Sequence, residues 1–206
     1  MSDGLIPIEG AARDALDAYD KAYGPAVFYL VDSSRSDVET VDTAMSGLQA
    51  DLRRYGSHIS FDAARAKGRK VALAQFVGRG YDFESGQLVS SWIENSTGSG
   101  SSWTPGPALG VDNDRYMTDA YAEAFSEAAH GISIRKPKLR DLCNEWFATI
   151  NGELLGGLHD DLLITQWTTD WSNWFDAGHE YWGSFFWTVR PPDRPWTVAI
   201  TASTTD

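Results

Sequence analysis

Val38, Val41, Met45, Leu48, Leu52 and Tyr55 recur at steps of three and four residues, which is the repeat of one helix face. Ser36 and Glu39 stand just ahead of that run as a Ser-x-x-Glu capping box, in which each side chain satisfies an orphan backbone N–H of the first turn. The spacing therefore predicts an amphipathic helix beginning behind Ser36. Ala12, Leu16, Tyr19 and Tyr23 share one side of an expected helix over 9–23, which Gly24-Pro25 stops. Met117, Tyr121, Ala124, Phe125 and Ala128 predict a third helix over 113–130, closed by Gly131. Pro137 suits the first turn of a fourth. Leu139, Leu142, Cys143, Trp146, Phe147 and Ile150 form its apolar face.

Shorter apolar runs predict strands. These are "AVFYLV" at 26–31, "VALAQFV" at 71–77, "GQLVSSWIE" at 86–94 and "LLITQW" at 162–167. "GSFFWTVR" and "PWTVAITA" alternate cleanly and flank "PPDRP", the pattern of a β-hairpin with a rigid loop. Phe185, Trp187 and Val189 share one face of its first strand, and Trp196, Val198 and Ile200 one face of its second. The opposite faces carry Thr, so one side is expected to pack and the other to meet water in part. Residues 95–110 hold small, turn-forming residues apart from Trp103 and Leu109 and read as a long loop or linker. Strands and helices do not alternate strictly after residue 113, which argues against a doubly wound fold. The expected fold is α+β: a single domain over 1–206, about four helices, a mixed or antiparallel sheet and a C-terminal β-hairpin.

Composition narrows the function classes. Hydrophobic residues make up 42% of the 206 and charged residues 22%, the balance of a globular chain. No apolar run approaches the ~20 residues of a membrane helix, and the first residues lack a basic-then-apolar leader. One cysteine excludes an internal disulfide framework and a Cys-based zinc cluster. A cytoplasmic location is expected. The net charge is −12. Residues 51–70 are basic, with 6 basic against 2 acidic, whereas residues 151–206 carry 2 against 8. Six of the nine tryptophans lie between Trp167 and Trp196, so the tryptophan-rich end is also acidic. Such a surface repels nucleic acid and attracts a basic protein. No nucleic-acid or membrane partner is expected.

Candidate chemistry concentrates in "DWSNWFDAGHEYWGSFFWTV" at 170–189. Asp176 and His179 have the spacing of two ligands on one helix turn. Together with Glu180, and with His159, Asp160 and Asp161 to complete a set, they make a metal-assisted hydrolase one alternative. No His-Glu-x-x-His motif is present, and the plainer role of His179 is a hydrogen bond to a turn. No phosphate-binding loop, dinucleotide fingerprint or nucleophile elbow occurs. Cys143 sits in a core stripe and reads as a small buried hydrophobe. Trp171, Trp174 and Trp182 fall outside the alternating core pattern. With Asp170, Asp176 and Glu180 they form an expected partner-binding surface, because exposed tryptophans anchor interfaces.

Two resemblances bear on these residues. In general style, the chain resembles immunity proteins of bacterial polymorphic toxin systems: small, acidic, tryptophan-rich, without a complete catalytic motif. That resemblance implies a non-enzymatic binding protein, without a cofactor, that neutralises a basic toxin domain by occluding its site. Separately, "FYLVDSSRS" places Asp32, Ser34 and Ser36 as Asp-x-Ser-x-Ser after a strand, and "SSWTPGPAL" follows later. Over about 26–110 this resembles the von Willebrand factor A domain. The resemblance implies a metal-dependent adhesion-type module in which Asp32, Ser34, Ser36 and Thr104 hold a divalent ion, with Mg2+ suited to such oxygens. The family's third motif, a Thr-Asp-Gly aspartate, is absent, and Ser34 and Ser36 equally suit a helix start.

Overall fold

The computed structural model describes residues 3–90, 92–97, 100–105, 120–127, 132–180 and 183–203. In chain order the first elements are β1 (Leu5–Ile6), α1 (Gly10–Lys21), β2 (Ala26–Asp32), α2 (Asp37–Arg53), a 3-10 turn (Ala63–Arg65), β3 (Gly68–Val71) and α3 (Leu73–Val77). Two small hairpins follow, β4 (Tyr81–Asp82) with β5 (Gln87–Leu88) and β6 (Trp92–Thr97) with β7 (Gly100–Pro105). Then come α4 (Tyr121–Ser126), α5 (Pro137–Leu155), β8 (Leu163–Trp167), a second 3-10 turn (Asn173–Phe175), α6 (Asp176–Glu180), β9 (Ser184–Arg190) and β10 (Trp196–Ser203). The class is α+β. Its centre is a six-stranded sheet in the order β1-β2-β10-β9-β8-β3, antiparallel at every pairing.

Side-chain alternation sets the sheet's two faces. Register pairs Ile200 with Trp187 on one side and with Phe28 on the other, and Val198 with Val189 and Leu30. These residues join one core with Ala12 and Tyr19 of α1, Phe76 of α3, Tyr121 and Phe125 of α4, and Cys143, Phe147 and Ile150 of α5. The second face, expected to meet water in part, is buried instead. Thr188, Thr197 and Thr201 are all buried, and Phe186 and Ala199 pack with Val41, Met45 and Leu48 of α2. Small and β-branched residues let α2 lie close to the sheet, so the sheet is covered on both sides. Each large side chain buried this way contributes about 1.5–3 kcal/mol.

α2 begins as its capping box requires. The Ser36 N–H donates to Glu39 Oε2 at 2.8 Å, and the Glu39 N–H donates to Ser36 Oγ at 3.4 Å. α5 starts with Pro137 at its first turn and ends at Gly156 in the left-handed conformation. α1 stops at Lys21, so Tyr23 lies beyond the helix and is exposed.

Several expected boundaries move. "VALAQFV" is not a strand: β3 ends at Val71 and residues 73–77 form α3. A short run, apolar except for Gln75, fits either state. Here Leu73, Ala74 and Gln75, none of them branched at Cβ, suit a helix, and Phe76 and Val77 are buried on its inner side. Gly78 then turns the chain with φ of +75°; an added Cβ there would overlap that of Ala120. The strand expected over 86–94 is divided between β5 and the start of β6. The supposed loop at 95–110 contributes the rest of β6 and all of β7, which pair from Trp92↔Pro105 to Thr97↔Gly100. Its Ser and Thr residues serve a two-stranded ribbon as well as a loop. Of the helix expected over 113–130, residues 121–126 are α4; Met117, Ala128 and Gly131 lie outside the described residues. β3, an edge strand of the large sheet among the described residues, carries Arg69 and Lys70 from the basic segment. Charge on an edge discourages pairing with another chain. Among the described residues no helix is long and apolar enough to cross a membrane.

Candidate functional site

The tryptophan-rich segment crosses the end of the sheet between β8 and β9. Residues 59–62 are laced to it. Asp62 N–H donates to the Trp171 carbonyl at 3.0 Å, Asn173 N–H to the Ser60 carbonyl at 3.2 Å, and Ser60 N–H to Asn173 Oδ1 at 2.8 Å. Gln49 of α2 donates from Nε2 to the Ile59 carbonyl at 2.7 Å, tying the same segment to the helix. Ser172 caps the 3-10 turn by accepting from the Trp174 N–H. The turn is therefore held against residues 59–62 by backbone pairing and capped by a side chain of its own.

This lacing buries one tryptophan and leaves its neighbour at the surface. Trp171 is 3% exposed, packed edge-on against Phe175 and Phe186, and its indole N–H donates to the Thr168 carbonyl. It belongs to the second core, so a role as a surface anchor is ruled out. Trp174 is half-buried and lines a cavity of about 260 Å³ with Leu52, Ser57, His58, Ile59, Asn173 and Ser203. Both Trp174 Nε1 and Ser203 Oγ are shielded from solvent without a hydrogen-bond partner. α6 closes down on this region. Gly178 lies so near the ends of β9 and β10 that an added Cβ would overlap the Gly183 carbonyl and Ser184 Oγ and come within 2.7 Å of Ser203 Oγ.

The remaining expected residues divide as follows. Asp170 and Asp176 are exposed on either side of Trp174 in the chain. The backbone of Glu180 ends α6, and Trp182 lies outside the described residues. His179 is exposed, and its Nε2 is 2.7 Å from Thr169 Oγ1. His159 Nδ1 is 4.0 Å from Asp161. Among the described residues, no group of three or more His, Cys, Asp or Glu side chains is placed to hold a metal ion.

Asp32, Ser34 and Ser36 serve the entry to α2. Asp32 Oδ1 accepts the Ser34 N–H at 2.8 Å, and this bond holds the carboxyl below its ordinary pKa. Ser36 is occupied by Glu39. Thr104 lies in β7, paired with Ile93. Cys143 is fully buried, and burial pushes its thiol up to about 12, which suits packing and not nucleophilic chemistry.

His58, Asn173 and Ser203 are cavity residues that the sequence does not mark. They come from three separate segments: the 60–173 pairing brings the first two together, and pairing of β10 with β9 places Ser203. Sequence reasoning also missed two buried carboxylates. Glu127 Oε2 accepts from Ser133 Oγ at 2.6 Å and Arg135 Nε at 3.1 Å, and Glu123 lies 3.7 Å from Arg79. Buried carboxylates met by arginine and hydroxyl donors are the arrangement expected of a structural polar network. No family model matches the sequence, and no curated protein or solved structure matches it either.

Proposed function

We propose that this chain is a non-enzymatic binding protein of the immunity type, which neutralises a basic partner, a toxin domain, by covering that partner's site. The observation that carries the reading is the placement of Trp174. It is a half-exposed aromatic with an unpartnered indole N–H, on a turn fixed by backbone hydrogen bonds and bracketed by the exposed carboxylates of Asp170 and Asp176. A rigid aromatic loses little freedom when it is covered, and the carboxylates steer a basic surface toward it. The net charge of −12 extends that attraction beyond contact distance at low salt. Occlusion asks no chemistry of this chain.

The test is co-purification with the product of the adjacent gene, followed by titration at rising salt. Asp170→Lys and Asp176→Lys are expected to slow association and flatten its salt dependence. Trp174→Ala is expected to weaken the complex by about 2–4 kcal/mol, the range of an interface anchor. Unchanged binding in all three removes this surface from the interface. Substrate turnover by the isolated protein, lost on replacing His179, overturns the non-enzymatic reading.

A further inference from the structure

We propose that the outer edge of β3 is a docking strand for an acidic, extended segment of a partner protein, which joins the large sheet beyond β3 with its carboxylates over Lys67 and Arg69. The inference goes beyond the binding of a basic partner at Trp174 and is tested on different residues.

The backbone supplies the first observation. Among the described residues β3 pairs with β8 alone and stands at the end of the sheet. The Thr168 N–H donates to the Lys67 carbonyl at 3.0 Å, and the Lys67 N–H to Thr168 Oγ1 at 3.2 Å. Lys67 therefore turns its main chain toward β8. Direction alternates along an antiparallel strand, so Arg69 and Val71 do the same, and Gly68 and Lys70 turn their N–H and C=O groups outward. Residues 67–70 are all exposed, so that edge is open to solvent.

The charge is the second observation. Lys67 and Arg69 are two residues apart and share one face of the strand. Arg69 donates to the neutral Gln166 side chain, from Nε at 3.1 Å and Nη2 at 2.6 Å, which leaves its charge uncompensated. Arg65, Lys67 and Arg69 have no carboxylate within ion-pair distance among the described residues. The acids beside this stretch are engaged elsewhere or outnumbered. Asp62 Oδ1 accepts the Ala64 N–H at 3.2 Å, and Asp37 lies 3.8 Å from Lys70, whose side chain is on the opposite face. Asp170 is exposed two residues past Thr168, one acid against three cations. Screening limits the reach of a charge to about 8 Å in physiological salt, so this edge is basic to a visitor although the chain carries −12. A second copy of the edge would set like charges together. A polynucleotide offers no peptide groups to Gly68 and Lys70 and is repelled by the rest of the molecule. An acidic strand meets both demands: its main chain pairs with the outward groups, and carboxylates at alternate positions face Lys67 and Arg69.

The experiment uses the full chain labelled with 15N and a peptide of about eight residues, within the usual length of a strand, with glutamate at alternate positions among threonine and valine. This peptide is expected to shift the Gly68 and Lys70 amide signals saturably and to slow their hydrogen exchange, with exchange at Arg69 and Val71, already bonded to β8, little changed. The same peptide with lysine for glutamate is expected not to bind, and an oligonucleotide of equal charge to leave both amides unprotected. Lys67→Glu combined with Arg69→Glu is expected to weaken the glutamate peptide about 10-fold or more, since an exposed pair is worth about 1.5–5-fold and reversal turns each attraction into repulsion. Lys70→Pro removes an outward N–H and spares the bonds to β8, as proline on an edge strand does, and is expected to abolish the protection at Gly68. Signals from the rest of the sheet check that both variants fold. Gly68 and Lys70 amides indifferent to the glutamate peptide at millimolar concentration overturn the proposal. So does equal binding by the lysine peptide, protection of the same amides by the oligonucleotide, or a folded double-Glu or Lys70→Pro protein that binds as tightly as the parent.

Discussion

The hydroxyl of Tyr19 donates to the carbonyl of Phe125 at 2.8 Å across 106 residues of sequence, and the same oxygen accepts the Ala26 N–H at 3.2 Å. One buried atom thus joins α1, α4 and the start of β2. Its ring stacks on that of Phe125 with centroids 4.3 Å apart. Burial raises the pKa of this phenol well above the ordinary tyrosine value, so the donor stays protonated at any pH the fold meets. Tyr19→Phe keeps the stacking and leaves a carbonyl and an N–H without their partner. The expected loss is about 1–3 kcal/mol, read as a lower urea midpoint with an unchanged slope. A midpoint equal to the parent's would mean that both backbone groups find other partners.

Trp187 and Trp167 make a controlled comparison. Trp167 Nε1 donates to Thr188 Oγ1 at 3.0 Å inside the sheet's second face. Trp187 is 1% exposed, and its Nε1 has no partner. Trp187→Ala is expected to cost about 3–5 kcal/mol, as removal of a large core aromatic does. Trp187→Phe removes no hydrogen bond and is expected to cost less than Trp167→Phe, which deprives the buried Thr188 hydroxyl of its donor as well. Chemical denaturation of the three variants reads the order directly, and the reverse order for the two Phe variants would contradict it.

Stability at low pH is expected to depend on the start of α2. The bonds from Ser36 hold the Glu39 carboxyl below the ordinary glutamate pKa. Ionised Glu39 therefore supports the fold above that ordinary value, and its support fades as the pH falls through the lowered one. Asp32 acts in the same direction through the Ser34 N–H. Melting temperatures between pH 2.5 and 7 should show a decline below about pH 4 that is shallower in Glu39→Gln. Ser36→Ala should lose about 0.5–2 kcal/mol near neutrality, the worth of an N-cap. Parallel curves for Glu39→Gln and the parent would dissociate the carboxylate from the decline.

Much of the architecture can be read from the chain because it rests on local rules. The capping box and the three-four spacing place α2, Pro137 opens α5, and alternation in 184–203 identifies the hairpin. The α+β class follows from these elements. The reading fails where two states share one pattern. "VALAQFV" carries no polar residue at a telling position, so nothing local distinguishes a strand beside β8 from a turn of helix under Tyr121. The Ser- and Gly-rich stretch around residue 98 similarly disguises a ribbon as a loop. Trp171 and Trp174 are three residues apart in near-identical surroundings. Only the pairing of 59–62 with 171–173 decides which of them is sealed and which lines the cavity, and that pairing leaves no mark in either segment alone. The segment's charge was legible from the start, which is why Asp170 and Asp176 are found at the surface.

The position of β10 bears on how the molecule is made. Its strand lies between β2 and β9, with Thr201 beside Val27 on one side and Phe186 on the other. During synthesis β2 emerges early with β1 on one edge, and the main-chain groups of its other edge wait for a neighbour translated far later. Such long-range pairing is slow to nucleate and exposes sticky intermediates. A nascent chain stalled before residue 196 should therefore bind holding chaperones strongly, and release of the last strand should free it from them in a single step.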